Sequence, residues 1–269
     1  MAPLDAAAML QVFELVGPML FGGLAILARV AAMFILIPEL GTGYIPRRMK
    51  IVTFGAIATV VSFGLGLPAI PVDTSLIELF LIVAREVLLG AALGFAVRLV
   101  LAGVQMAGDL AGTSMGLSMA SFFDRAAGEN PLATGRLFSL TAAMAFIVMD
   151  GHKVMLTAMM EHFIAFPVGS LKFEFPHLEV LGEAVGRTME VAVILSAPVI
   201  VVSFVFNLSK GLVMRMVPEF NLFNIGAALL LLGGLAALSF AGGSILEEMS
   251  RAIDALPLQM QDLAGGRRG

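Results

Sequence analysis

The sequence predicts an all-α integral membrane protein of about six hydrophobic helices, some of them broken, with a Gly/Met-rich loop. Three observations predict it. Apolar residues make up 59% of the 269 and charged residues 13%, against about 45–50% and about 25% in a soluble domain. So few charges cannot cover a water-soluble sphere, and the excess apolar surface must face lipid or other hydrophobic subunits. Mean hydropathy is +0.99, and apolar runs near the ~20 residues that a spanning helix needs are punctuated by Pro and Gly clusters.

The first apolar run covers about 16–37 and ends at Pro38 and the Gly41–Pro46 stretch. A second covers about 51–67, closed by Pro68 and Pro71. A third runs from about Leu76 to Met106, long for one span. Residues 107–130, rich in Gly, Ser, Ala and Met, read as loop or broken helix. A fourth run at 137–149 is interrupted by Asp150-Gly151-His152-Lys153 and resumes to Phe166, where Pro167 and Gly169 stop it. Residues 170–184 are the most polar internal stretch. The fifth run covers about 185–217 with Pro198 inside, and the sixth 222–246. The polar tail, 247–269, is expected to fray. Residues 1–15 carry Asp5 and Glu14 but no Lys or Arg, unlike the basic start of a cleavable signal, so the first apolar helix is expected to persist. The basic cluster Arg47-Arg48-Lys50 assigns its loop to the cytoplasmic side.

Arg29, Arg85, Glu86, Arg98, Lys210 and Arg215 fall inside apolar runs. A charge at the bilayer centre costs about 2.5–3.5 kcal/mol on insertion scales. These groups therefore snorkel, pair within the chain, or face protein or water rather than lipid. Arg85 and Glu86 point about 100° apart on a helix and are expected to need separate partners. Small residues recur four apart at Gly90 and Gly94, at Gly108, Gly112 and Gly116, and at Gly182 and Gly186. That spacing lets helix backbones approach closely.

Little chemistry survives inspection. Absence of Cys and Trp excludes disulfides and thiolate metal sites. A net charge of −4 without a basic block argues against nucleic acid as partner. Gly112-Thr113-Ser114-Met115-Gly116 matches the hydrolase elbow, but that motif needs a strand before it. His152, His162 and His177 show no metal-ligand spacing, so neither a metal nor a cofactor is expected. A secondary transporter would show interrupted helices at matched positions, and Pro198 has no counterpart in the first half.

Ordered landmarks then carry a resemblance. They are Arg29, Pro38, Gly41, Pro46 and Arg48; Glu86 with Leu89-Gly90 and Leu93-Gly94; Gln105, Gly108 and the segment up to Phe122-Phe123-Asp124; and Asn130-Pro131. Gly151-His152, Phe163, Pro167-Val168-Gly169, Pro198, Asn207, Gly211, Arg215, Pro218-Glu219-Phe220-Asn221 and Phe223 follow. From about Ala25 to Leu232 the chain resembles the FliR family of flagellar export-gate proteins, the SctT family in virulence-type secretion. It departs from that pattern at His162, where the family usually has Ser, and at Arg125, where Pro often follows the Asp.

The resemblance implies helices arranged as hairpins in a single membrane domain, with residues 1–180 FliP-like, 185–246 a FliQ-like hairpin and 247–269 a polar tail. It implies a non-enzymatic core component of the flagellar type III export gate in the bacterial inner membrane at the basal body. Its partners would be FliP-like, FliQ-like, FlhB-like and FlhA-like proteins, unfolded export substrates and membrane lipid. Gly112, Met115, Gly116, Met119, Phe122 and Phe123 coincide with the family's pore plug. Met fills irregular gaps and Gly lets the backbone bend, which suits a deformable seal; the alternative is packing between helices. Arg29, Arg48, Glu86, Lys210, Arg215 and Asn221 are candidates for subunit assembly or charge pairing.

Overall fold

The computed structural model describes residues 6–37, 46–118, 132–170, 178–216 and 222–263. Among them every regular element is an α-helix: α1 (Ala6–Ile35), α2 (Arg47–Gly64), α3 (Leu76–Ser114), α4 (Ala133–Val148), α5 (Gly151–Ala165), α6 (Leu178–Met216) and α7 (Leu222–Leu263). Among the described residues three stretches are long and apolar enough to cross a membrane: Val12–Ile35, Leu76–Ser114 and Glu179–Met216. Two bent pairs raise the number to five if each is one span. They are α4 with α5, bent by 68°, and Ala228–Phe240 with Gly242–Leu263, bent by 49°.

Local chemistry sets the boundaries. Ser75 and Glu78 cap α3 reciprocally: Glu78 N–H donates to Ser75 Oγ at 3.2 Å, and Ser75 N–H to Glu78 Oε2 at 3.0 Å. At its other end, Leu117 N–H reaches the Gly112 carbonyl and Gly116 N–H that of Thr113. Gly116, at φ +82°, supplies the left-handed residue this closure needs. The expected break at Asp150-Gly151 is real, and Asp150 adopts φ +60° there. Asp is one of the few side chains tolerated in that region.

Two expectations are corrected and one is narrowed. Of the segment read as loop or broken helix, residues 107–114 continue α3, which runs to Ser114, and their glycines pack against another helix, as described below. Residues 178–184, part of the most polar internal stretch and placed before the fifth apolar run, form the start of α6. Residues 247–263, expected to fray, continue α7 to Leu263. Met249, Ile253, Leu256, Met260 and Leu263 are buried at alternating spacings of four and three, so the tail carries an apolar stripe that anchors it.

The chain divides into two compact units, the first comprising Met1–Arg98, Lys153–Leu181 and Leu256–Gly269, the second Leu99–His152 and Gly182–Ala255. In the first, α1 and α2 form a hairpin, with the Phe34 and Phe54 rings stacked 5.4 Å apart. The following loop folds back on α1, where Ile70 N–H donates to the Pro18 carbonyl at 2.9 Å. A Cβ on Gly22 would overlap the Pro68 carbonyl. Ala25, Ile70 and Ile82 bury a small core there. In the second unit, Ala111, Met115, Val199 and Ala237 form a core from α3, the turn after it, α6 and α7.

Candidate functional site

Small residues bring α1 and α3 together in the first unit. A Cβ on Gly90 would overlap the Arg29 carbonyl, and one on Gly94 would overlap that of Met33. The four-residue spacing on α3 therefore matches a four-residue spacing on α1, with the backbones in direct contact.

This approach sets Arg29 against Glu86 in the interior. Arg29 Nε donates to Glu86 Oε2 at 2.5 Å, and both side chains have 0% exposure. Arg85 Nη1 donates to Glu86 Oε1 at 3.0 Å. The expectation that Arg85 and Glu86 need separate partners is thus corrected. Their Cβ atoms diverge, but the long arginine stem bends back, so one carboxylate serves two guanidiniums. Arg29 Nη2 also donates to the Phe166 carbonyl at 3.1 Å, and Arg85 Nη1 to that of Pro167 at 3.3 Å. These carbonyls lie just past the end of α5, where the helix dipole is negative and favours cations. Two cations facing one anion leave a net positive charge, which the carbonyls and the dipole offset. The Arg29 guanidinium carbon stands 4.2 Å from the centre of the Phe163 ring, adding a cation–π contact. Arg29 Nη1 lies 3.3 Å from His162 Nδ1. Arginine can only donate, so Nδ1 is the accepting atom in this contact. One buried cluster thereby ties α1, α3 and α5 into a single body.

A second contact, in the second unit, joins α3 to the start of α4. Cβ atoms on Gly108 and Gly112 would overlap Thr134 and Gly135 at the start of α4. The Asp109 carboxylate lies over the Cα of Gly135 and accepts from the Leu132 backbone N–H. No side chain of α4's own N-cap does this. Asp109 therefore caps α4 from a neighbouring helix, placing an anion where the dipole is positive. Met115 is 3% exposed and packs with Ala111, Val199 and Ala237. In this conformation it fills the interior, the packing alternative to a plug role.

The remaining candidates are scattered. Gly116 is exposed at the turn after α3, and Arg48 is exposed in the first turn of α2. The Lys210 stem lies over Gly226, and Arg215 is exposed in the last turn of α6. Met119, Phe122, Phe123 and Asn221 lie outside the described residues. The Ser114 hydroxyl donates back to the Leu110 and Ala111 carbonyls within its own helix. Among the described residues a Cβ at Gly182 or Gly186 would meet open space, so their spacing serves no close contact there. Asp109, Arg85 and His162 were not singled out from sequence as partners of these sites. Asp109 lies between two glycines of the spaced series, which is the one signal pointing to it.

Comparison with known proteins is consistent throughout. The family model described as "Bacterial export proteins, family 1" matches residues 20–256. The chain is similar to the flagellar biosynthetic protein FliR of Escherichia coli (strain K12), 29% identical over 79% of this chain and 81% of that protein. It is also similar to FliR of Caulobacter vibrioides, 28% identical over 81% of this chain and 87% of the relative. FliR of Bacillus subtilis (strain 168) is 27% identical over 77% and 80% respectively.

Proposed function

The chain belongs to the bacterial export proteins, family 1, as a FliR-family membrane protein, and from that membership we propose that it is a core subunit of the flagellar type III export gate. In this reading it joins FliP-like and FliQ-like subunits to form the entry portal through which unfolded flagellar proteins leave the cell. Residues 1–180 supply the FliP-like portion and 185–246 the FliQ-like hairpin. FlhB-like and FlhA-like proteins complete the apparatus at the basal body in the inner membrane. The chain's work is structural and conductive rather than enzymatic.

One observation carries the multi-subunit part of the reading. Helix α6 exposes large apolar side chains from Val185 to Met216, among them Val201, Phe204, Leu208 and Leu212. That stripe is about 46 Å long at the α-helical rise. The hydrocarbon core is about 30 Å thick, and even a tilt of about 40° lets it cover only about 39 Å of helix. The hydrocarbon core is shorter than this face, which supports further protein packing against part of it. The relatives' shared name, flagellar biosynthetic protein, favours a flagellar over a virulence-type system. Deleting the gene should abolish secretion of hook and filament subunits, and the wild-type chain should restore it. Normal secretion in the deletion strain would refute the assignment.

A further inference from the structure

Glycines four apart on α3 make two helix contacts, and the contacts differ in what they bury. At the first, Gly90 and Gly94 meet α1. The polar groups drawn inside there are partnered. Both Glu86 oxygens accept from guanidiniums, and Arg29 Nε, Nη1 and Nη2 each face an acceptor. At the second, Gly108 and Gly112 meet the start of α4. Here two side-chain oxygens are shut in without a hydrogen-bond partner among the described residues.

Those oxygens are Thr134 Oγ1 and Asp109 Oδ1. Thr134 is 6% exposed, and its hydroxyl lies where a Cβ on Gly112 would stand. Asp109 Oδ1 lies where a Cβ on Gly135 would stand. Asp109 and Gly112 are three residues apart on α3 and share a face. Thr134 and Gly135 are neighbours on α4, so both oxygens belong to one contact. Asp109 accepts from the Leu132 N–H, and that cap leaves its Oδ1 unserved.

A buried oxygen without a hydrogen bond carries the full cost of leaving water, and a carboxylate oxygen carries more than a hydroxyl. A half-satisfied polar contact is worse than an apolar one. Gly108, Gly112 and Gly135 supply no side chains to interlock across it. Parting α4 from α3 by about 3 Å, the length of one hydrogen bond, would let water reach both oxygens.

We infer that the α3–α4 contact is a joint poised to open. It exchanges between the closed, dry arrangement and one in which the start of α4 has left Gly108 and Gly112 and water bonds Thr134 and Asp109. The second unit thereby gains a moving part whose balance is set by two oxygen atoms. The α1–α3 contact, with its charges satisfied, stays closed.

Thr134→Val tests this, because it replaces the hydroxyl with a methyl of similar size. Hydrogen exchange is followed by mass spectrometry in the full chain, purified in mild detergent with the subunits that accompany it. Leaving α3 strips α4 of its Asp109 cap, so exchange over 136–138 reports the opening. Thr134→Val should slow that exchange about fivefold, the effect of relieving one orphaned group. It should also raise the unfolding midpoint and leave exchange in α1 unchanged. Thr134→Ser keeps a hydroxyl and should exchange as the wild-type chain does. A lower midpoint for Thr134→Val, or its failure to fold, would mean that the hydroxyl is partnered and would overturn the inference. So would exchange over 136–138 that Thr134→Val leaves unchanged, or slows no more than in α1.

Discussion

Arg29 and Glu86 are 57 positions apart in sequence, yet their side chains pair at 2.5 Å with no solvent exposure. The pair forms because two glycines on α3 remove the Cβ atoms that would hold α1 away. It draws in Arg85, His162 and the carbonyls that end α5, so the cluster fixes how three helices meet.

Removing the shared carboxylate leaves two buried guanidiniums without their anion. Glu86→Gln should therefore destabilise the purified protein by about 3–5 kcal/mol, as unpairing a buried charge does. Thermal unfolding in mild detergent would read this as a large drop in midpoint. In a double-mutant cycle, Arg29→Met and Glu86→Gln should be non-additive, with a coupling of about 0.5–3 kcal/mol. Additive effects would mean that the two do not interact.

The glycine series divides into two kinds of position. Gly90→Ala and Gly94→Ala place a Cβ on the α1 backbone, and both should sharply lower the amount of folded protein in membranes. Gly182→Ala and Gly186→Ala meet open space within the chain and should leave the isolated subunit as stable or more so, by up to about 1 kcal/mol. If those two variants instead impaired recovery of partner subunits, their face would be a subunit contact.

Sealing and packing can be separated at the methionines. Met115→Ala should cost about 2–5 kcal/mol of stability, because it empties a buried site. If Met119, Phe122 and Phe123 seal the pore, replacing them together with Ser should make cells leaky to small solutes and leave the melting temperature unchanged. A stability loss without leakage would assign these residues to packing as well.

Asp109 caps α4 from another helix. Asp109→Ala should cost about 1 kcal/mol, as losing an N-terminal cap does, and Asp109→Asn should recover part of it by keeping an acceptor. Hydrogen exchange at the first amides of α4 would show the loss directly.

Much of this was legible in the sequence. Composition gave the membrane class, Asp150-Gly151 marked the break between α4 and α5, and the spacing of Gly90 and Gly94 marked a close helix contact. Other features were hidden for physical reasons. Residues 107–114 read as loop or broken helix because of their glycines, but those glycines enable tertiary contact, which overrides local propensity. The stripe from Met249 to Leu263 was present in sequence and obscured by the charges between its members. Which guanidinium meets Glu86 depends on how helices distant in sequence come together, and no local pattern records that.

The proposed role as one subunit of a multi-protein export gate is tested by affinity purification of the tagged chain from mild detergent, with mass spectrometry of the proteins that accompany it. FliP-like and FliQ-like proteins should be recovered in one stable complex with it. A monomer or homodimer without them would refute the gate role and favour a transporter.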